Sequence, residues 1–355
     1  MKDGVLVSAI IPTFNRGYIV HNAIESIFNQ TYKNIEVIVV DDGSTDNTQE
    51  ILKNYGDRIR VICQTNSGPS IARNRGIEVS RGGIIAFLDS DDIWLPTKIE
   101  RQVSLFQRVP LSVPCCLCNG NTRTVSGGGW NAFEMGMFHP NCEEGLWLNV
   151  TDVLANRFIL FCQLVAIRRE ALERVGYFDP NLRFMEDYDL ALRLSVEGPW
   201  GFICEPLATM NLSPSDSLSL KVSKEYVRHA QYILNTQERV FARLRSTSET
   251  ETSRGYLQQA IKKTRRQLWV ATLRESTFWG ARIAGSFFKR LEHYRTAIFR
   301  RSPWFPRVKA VQIEGDDRYP NGSNVDIKNQ NSLDQRSSKN IQSALEHTNS
   351  QKVLP

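Results

Sequence analysis

The chain has no run of about 18 or more apolar residues, so no simple membrane-spanning helix is expected in it. Its first residues, MKDGVLVSAIIPT, have an apolar middle but pass into Pro12–Arg16 without a small-residue cleavage site, and no secretory leader is expected either. Seven cysteines, an odd number without a framework spacing, argue against a disulfide-framed fold. Cys115, Cys116 and Cys118 share one apolar stretch and are expected to be reduced core thiols in a cytoplasmic protein. A zinc site can be drawn from Cys116, Cys118, His139 and Cys142, but CxC is not the spacing of a common structural zinc module. No internal repeat is present. No G-x-G-x-x-G follows the first strand, where Pro12–Gly17 stands instead, which argues against a dinucleotide-dependent oxidoreductase.

What is there is globular. With 355 residues, 41% of them hydrophobic and 10% aromatic, the chain can build one large α/β domain and an appendage. The net charge of +6 is unevenly spread: Lys and Arg dominate from Lys262 to Arg307, and carboxylates cluster in the first half. Such a basic region suggests phosphate-bearing partners, anionic lipid or nucleic acid.

Short β-branched runs at Val7–Ile11, Ile35–Val40, Arg60–Cys63 and Ile84–Leu88 suit strands buried on both faces. Between them, Ile19–Asn29, Gln49–Tyr55 and Ser70–Val79 carry helical patterns, and Thr97–Gln107 follows with Pro96 in its first turn. Thr45 or Asp46 is expected to cap the second helix. The alternation predicts a doubly wound, mostly parallel sheet, whose ligands sit beyond the carboxyl ends of the strands. Pro12–Asn15, Asp41–Asp42, Asn66–Ser67 and Asp89–Asp92 then share one rim.

Further on, Ser126–Trp130 reads as a loop and Phe158–Ile167 as a strand. Glu170–Val175 reads as a helix closed by Gly176, and Asp187–Val196 as a second helix. After Glu314 few aliphatics remain, and a disordered tail is expected.

Three acidic motifs carry chemistry. VDDGSTDNT, Val40–Thr48, puts two adjacent carboxylates at the end of a buried strand, a costly arrangement that asks for a use. FLDSDDIW, Phe87–Trp94, offers oxygen ligands for a hard divalent cation, Mg²⁺ or Mn²⁺, that bridges to nucleotide phosphates; the bland reading is a solvated turn. RFMEDYDLALRL, Arg183–Leu194, places a Glu-Asp pair at a helix start, where acidic residues favour the macrodipole in any case. A carboxylate kept ionised there suits a general base.

Taken in order, AIIPTFNR, VIVVDDGSTD, NSGPSIARNRGI, FLDSDDIWLP and VGYFDP…MEDYDLALRL resemble the family 2 glycosyltransferases, from about Val7 to Leu220. The resemblance implies a GT-A fold: a Rossmann-like nucleotide-binding half (1–118) and an acceptor half with the catalytic base (119–220). A helical basic extension (221–312) and the tail (313–355) follow. It implies inverting transfer from a UDP-sugar to a hydroxyl of a glycan or lipid-linked acceptor, in polysaccharide or glycoconjugate synthesis, with a divalent metal, Mn²⁺ or Mg²⁺. Pro12, Thr13, Phe14 and Asn15 match the segment bordering the nucleobase. Asp42 matches the carboxylate that accepts the base N3–H, with Ser44 closing the turn and Asp41 orienting the loop. Arg73 matches a residue near the base and phosphates, and Asp89 and Asp91 form the DxD. Asp91 is the expected metal ligand with Asp92 beside it, and Asp187 matches the catalytic base. Glu186 and Trp147 are candidates for the acceptor side.

The chain departs from the family pattern at PLATMNLSPSDSLSL. Asn211 and Ser213 stand where an arginine and a histidine are usual, while Ser217 and Ser219 still fit. Leu268–Ile298 sets Trp279, Phe287 and Leu291 at helical spacing among Arg282, Lys289 and Arg290. Such a helix suits the surface of an anionic membrane, at the inner face of the cell membrane, or packs on the domain. No nucleic-acid motif accompanies the charge, and no nucleic-acid partner is expected. A catalytically idle domain that binds glycan, nucleotide or membrane is the rival reading; retention of every carboxylate argues against it.

Overall fold

The computed structural model describes residues 4–124, 129–156, 159, 161–182, 185–212, 226–244, 251–276 and 308–313. Strands β1 (Val7–Thr13), β2 (Ile35–Asp41), β3 (Arg60–Cys63) and β4 (Ile84–Phe87) alternate with helices α1 (Val20–Phe28), α2 (Thr48–Lys53) and α3 (Pro69–Val79). The strands pair in parallel in the spatial order β3–β2–β1–β4. β4 is buried throughout and β1 nearly so, as expected for apolar runs covered on both faces. Pro69 fills the first turn of α3, where its missing N–H has no helical partner to lose. The N-cap of α2 is Asn47, without a side-chain cap bond, rather than Thr45 or Asp46; Asp46, one residue earlier, accepts the Thr48 N–H on Oδ1 at 3.0 Å.

Beyond β4 come β5 (Ile93–Trp94), α4 (Lys98–Arg108), β6 (Cys115–Thr124), α5 (Ala132–Met135), β7 (Glu144–Trp147) and α6 (Val150–Leu154). They are followed by β8 (Val165–Arg168), α7 (Arg169–Val175), α8 (Glu186–Leu194) and β9 (Trp200–Leu212). Helices α9 (Tyr226–Arg243) and α10 (Glu251–Ser276) and the short strand β10 (Ala310–Gln312) complete the described chain. The sheet continues from β4 through β8, β6, β9 and β7 to β10, with β5 against β9. β6 and β9 are parallel; β8, β7 and β10 run antiparallel to their neighbours.

Some expectations shift. Pro96 precedes its helix, which starts at Lys98, and its carbonyl accepts the Thr31 N–H at 2.8 Å. Of the strand expected over Phe158–Ile167, the described residues show Val165–Arg168, after a single 3₁₀ turn at Cys162–Leu164. β8 pairs with β4 only as far as Ala86, because the chain then leaves the sheet for its acidic loop. Gly176 closes α7 with φ 85°, a left-handed conformation that glycine adopts without strain. Trp130 is exposed, while residues 125–128 of the expected loop lie outside the described residues.

Cys115, Cys116 and Cys118 are buried free thiols. Among the described residues no group of three or more His, Cys, Asp or Glu is placed to hold a metal, which applies to the set Cys116, Cys118, His139 and Cys142 and equally to Asp89, Asp91 and Asp92. Over its described length α10 buries Leu257, Ala260, Ile261 and Thr264, so this part packs on the domain. Residues 277–298 of the expected amphipathic helix, Ser217, Ser219 and the tail from 314 lie outside the described residues. Among the described residues no helix is long and apolar enough to cross a membrane.

Candidate active site

The parallel strands β1, β2 and β4 deliver Thr13–Asn15, Asp41–Asp42 and Asp89–Asp92 to one edge of the sheet. The first two loops brace each other. Asn15 sits in a left-handed conformation (φ 52°), donates its N–H to Ser44 Oγ at 2.9 Å, and accepts the Thr45 N–H on Oδ1 at 2.8 Å. Thr13 is buried with no hydrogen-bond partner for Oγ1, and the Phe14 ring beside it is 43% exposed. An unpartnered hydroxyl and an open aromatic face at a strand end suit a heterocyclic ring.

The paired aspartates have structural employment. Asp41 accepts from Ser44 N at 3.0 Å and from Gln49 Nε2 at 2.9 Å, as expected of a loop-orienting residue. Asp42, assigned to the base by resemblance, accepts from Gln64 Nε2 at 2.7 Å and from the N–H groups of Ser67 and Gly68, each at 2.8 Å. Three donors therefore already engage its two oxygens. These contacts fix the loop that enters α3.

Arg73 of α3 is the centre of the cluster. Its Nη2 lies 2.9 Å from Asp89 Oδ1 and its Nη1 2.8 Å from Glu186 Oε1, over the Phe178 ring at 5.3 Å. Burial alone would pull the guanidinium down, but Cys162, Asp89 and Glu186 around it push its pKa well above the ordinary arginine value. Arg73 is 5% exposed and bridges two acidic motifs, and its buried Nε has no hydrogen-bond partner. Glu186, a candidate for the acceptor side, is held in that bridge.

Asp187 opens α8 next to Glu186, with Oδ1 accepting the Tyr188 N–H at 2.8 Å. Burial, and then the Glu186 charge, push its pKa up to about 7. The residue before the pair, Met185, is left-handed (φ 59°), which turns the chain sharply into the helix.

The DxD turn is pinned from two sides. Gln163 donates Nε2 to Asp89 Oδ2, and its carbonyl accepts the Trp94 indole N–H at 3.1 Å. Asn211 of β9 donates its backbone N–H to Asp92 Oδ1 at 2.9 Å and its side-chain amide to the Asp91 carbonyl. Asp92 is 3% exposed. Burial, then Asp89 and Asp91, drive its pKa well above the carboxylate range. Asp91 has 35% of its side chain open, 3.9 Å from Arg16 Nε. An open carboxylate beside a crowded acidic group fits a hard cation, which commonly takes one or two carboxylates and completes its shell with water and phosphate. Asp91 has the accessible oxygens, whereas Asp92 faces β9.

Trp147 belongs elsewhere. It is wholly buried, packed edge-on against Phe138 and Trp200, and has no surface to offer an acceptor. Cys162, Gln163 and Asn211 were not identifiable as site residues from the sequence. Gln163 lies in an apolar run without a motif, and Asn211 registered only as a departure from the family.

Residues 8–175 match the family described as Glycosyl transferase family 2. A glycosyltransferase of Rickettsia prowazekii is 33% identical over 193 residues, covering 54% of this chain and 59% of the relative. YibD, a glycosyltransferase of Escherichia coli K12, is 42% identical over 178 residues, covering 44% and 51%. WfaP of Escherichia coli, a UDP-Glc:alpha-D-GlcNAc-diphosphoundecaprenol beta-1,3-glucosyltransferase, is 44% identical over 105 residues, covering 29% and 41%. The chain thus spans about half the length of these curated relatives. Among solved structures, Staphylococcus aureus TarS 1–349 with UDP-GlcNAc gives a TM-score of 0.54 at 16% identity, covering 73% of this chain and 71% of that one. The mannosyltransferase PcManGT of Pyrobaculum calidifontis with GDP-Man and Mn²⁺ gives 0.51 at 17%, covering 85% and 83%. At that identity the likeness is one of fold. The fold is GT-A, and residues 8–175 of the chain match glycosyl transferase family 2.

Proposed function

We propose that the chain transfers a sugar from a UDP-sugar to a hydroxyl of a glycan or lipid-linked acceptor, with inversion, in surface polysaccharide or glycoconjugate synthesis. One observation carries this reading: Asp187, a carboxylate with its pKa near 7, adjoins Glu186, which Arg73 ties to Asp89 of the DxD. A general base works best when its pKa lies near the operating pH. The name of WfaP supports a UDP-linked donor and an undecaprenol-diphosphate acceptor.

In the reaction, Asp187 takes the acceptor hydroxyl proton as that oxygen bonds to the sugar C1. The bond from C1 to the UDP oxygen breaks, and UDP leaves with the electron pair. Phe14 and Thr13 border the uracil, while Asp42 and Asp41 hold the loops around it. Arg73 keeps the donor-side carboxylate and the base helix in register. A Mn²⁺ or Mg²⁺ would be held by Asp91, with Asp92 close by, and supplies Lewis-acid stabilisation of the departing diphosphate. Helix α10 exposes Lys262, Arg266 and Trp269 on one side, which supports peripheral contact with an anionic membrane.

The test is donor hydrolysis without acceptor. UDP-glucose and UDP-N-acetylglucosamine are incubated with the protein and Mn²⁺, and released UDP is measured. Release that depends on Asp187 and on metal is the expected result. No release and no thermal shift with either donor or with UDP would leave the idle-domain reading standing.

A further inference from the structure

Helices α8 and α9 both lie beyond residues 8–175, the segment that matches the family, and α9 is bonded to α8, the helix that carries Asp187. Asp189, two residues after the base, is 1% exposed. Its Oδ2 accepts from Arg193 Nε at 2.8 Å within α8. Its Oδ1 accepts from Arg239 Nη2 at 2.6 Å and from Thr236 Oγ1 at 3.1 Å, both on α9. The other arm of Arg239 reaches Asp179 Oδ2 at 3.0 Å, on the loop that precedes α8. Gln237 of α9 donates Nε2 to the Ala155 carbonyl at 3.0 Å, beside Leu154, whose carbonyl accepts the Tyr188 hydroxyl at 3.0 Å. Both residues that follow Asp187 are therefore anchored where α9 docks.

We propose that α9 is part of the transfer machinery, with Arg239 a positioning residue that acts through Asp189 to hold the start of α8, and hence Asp187, in place. The inference rests on the reading of Asp187 as the base. A forked guanidinium spans Asp179 and Asp189 at once, which the single ammonium of lysine does not. A buried carboxylate that loses a cationic partner is poorly compensated, so α8 should open locally more often.

The experiment uses the full chain and the variants Arg239→Ala, Arg239→Lys, Asp189→Asn and the Arg239→Ala/Asp189→Asn double. Amide hydrogen exchange over residues 186–194 should rise at least about tenfold in Arg239→Ala, with β1–β4 unchanged and Arg239→Lys intermediate. The double variant should be no worse than the worse single, because one interaction is removed twice. Hydrolysis of UDP-glucose or UDP-N-acetylglucosamine, whichever is turned over, should lose kcat with KM unchanged. Exchange that is unaltered over 186–194, or raised equally throughout the protein, overturns the proposal. So does an additive double variant. Absence of hydrolysis in the wild type would count against the proposed function, while the exchange comparison still decides whether α9 holds α8.

Discussion

Arg73 Nη1 stands 2.8 Å from Glu186 Oε1, joining positions 113 residues apart, and the same guanidinium holds Asp89. Arg73→Ala would leave two carboxylates facing each other without their cation. With the Arg73 side chain only 6% exposed, removing it should destabilise the protein by about 3–5 kcal/mol, measured by urea denaturation. Arg73→Lys should recover part of this, because an ammonium does not engage two carboxylates as a fork does. A surface-like change below about 0.5 kcal/mol would mean that the bridge contributes little.

Asp187 gives the sharpest pH signature. A base must be ionised to accept a proton, so turnover should rise with pH through about 7 and level off above it. Asp187→Asn should lower turnover by roughly 10²–10⁴-fold while leaving UDP affinity near wild type. Stability runs the other way. The folded pKa of about 7 lies above the ordinary aspartate value of 3.8, so the folded state binds the extra proton between them and loses stability as pH rises across that window. Asp187→Asn should therefore melt higher than wild type above pH 7, with the gap narrowing toward pH 4; melting curves across that range check the sign.

Much of this was legible in the sequence. Val7–Ile11, Ile35–Val40 and Ile84–Leu88 read as buried strands because β-branched runs admit few other solutions, and the acidic loops followed from the strand ends. What stayed hidden depends on distant partners. Gln163 touches Asp89 across 74 positions, and no local pattern marks it. The donors that Asp42 holds were hidden as well: the N–H groups of Ser67 and Gly68 are aimed by loop geometry rather than by residue type. Trp147 was ambiguous for a related reason: a tryptophan serves a core as readily as a sugar site, and only packing decides.

Lys98 allows a test of the support beneath the DxD. It is fully buried, donates to Gln102 Oε1 at 2.8 Å, and lies 4.3 Å from the centre of the Trp94 ring. Burial lowers its pKa to about 8 from the ordinary lysine value of 10.5. Between those values the unfolded chain binds more protons, so the lysine costs stability most below pH 8 and the cost fades as pH rises toward 10.5. The stability of Lys98→Met relative to wild type should be greatest below pH 8 and decline above it. A difference independent of pH would show that the amine is not buried as a cation.

Asp91 separates metal from nucleotide. If its open carboxylate is the ligand, Mn²⁺ should raise the melting temperature more in the presence of UDP than without it, since the diphosphate completes the coordination shell. A ligand at about 100 times its Kd adds near 2.7 kcal/mol, ample for a thermal-shift readout. Asp91→Asn should abolish the Mn²⁺ increment and leave the shift from UDP alone, because Thr13, Phe14 and the loops held by Asp41 and Asp42 are untouched. Asp92→Asn should act differently. Its Oδ1 accepts the Asn211 N–H, and that bond survives with an amide oxygen in place. The variant also relieves the crowding of a third carboxyl group beside Asp89 and Asp91, so it should fold at least as stably as wild type near pH 7. Equal loss of the Mn²⁺ increment in both variants would make Asp92 a ligand as well, and require the turn to open away from β9 when metal binds.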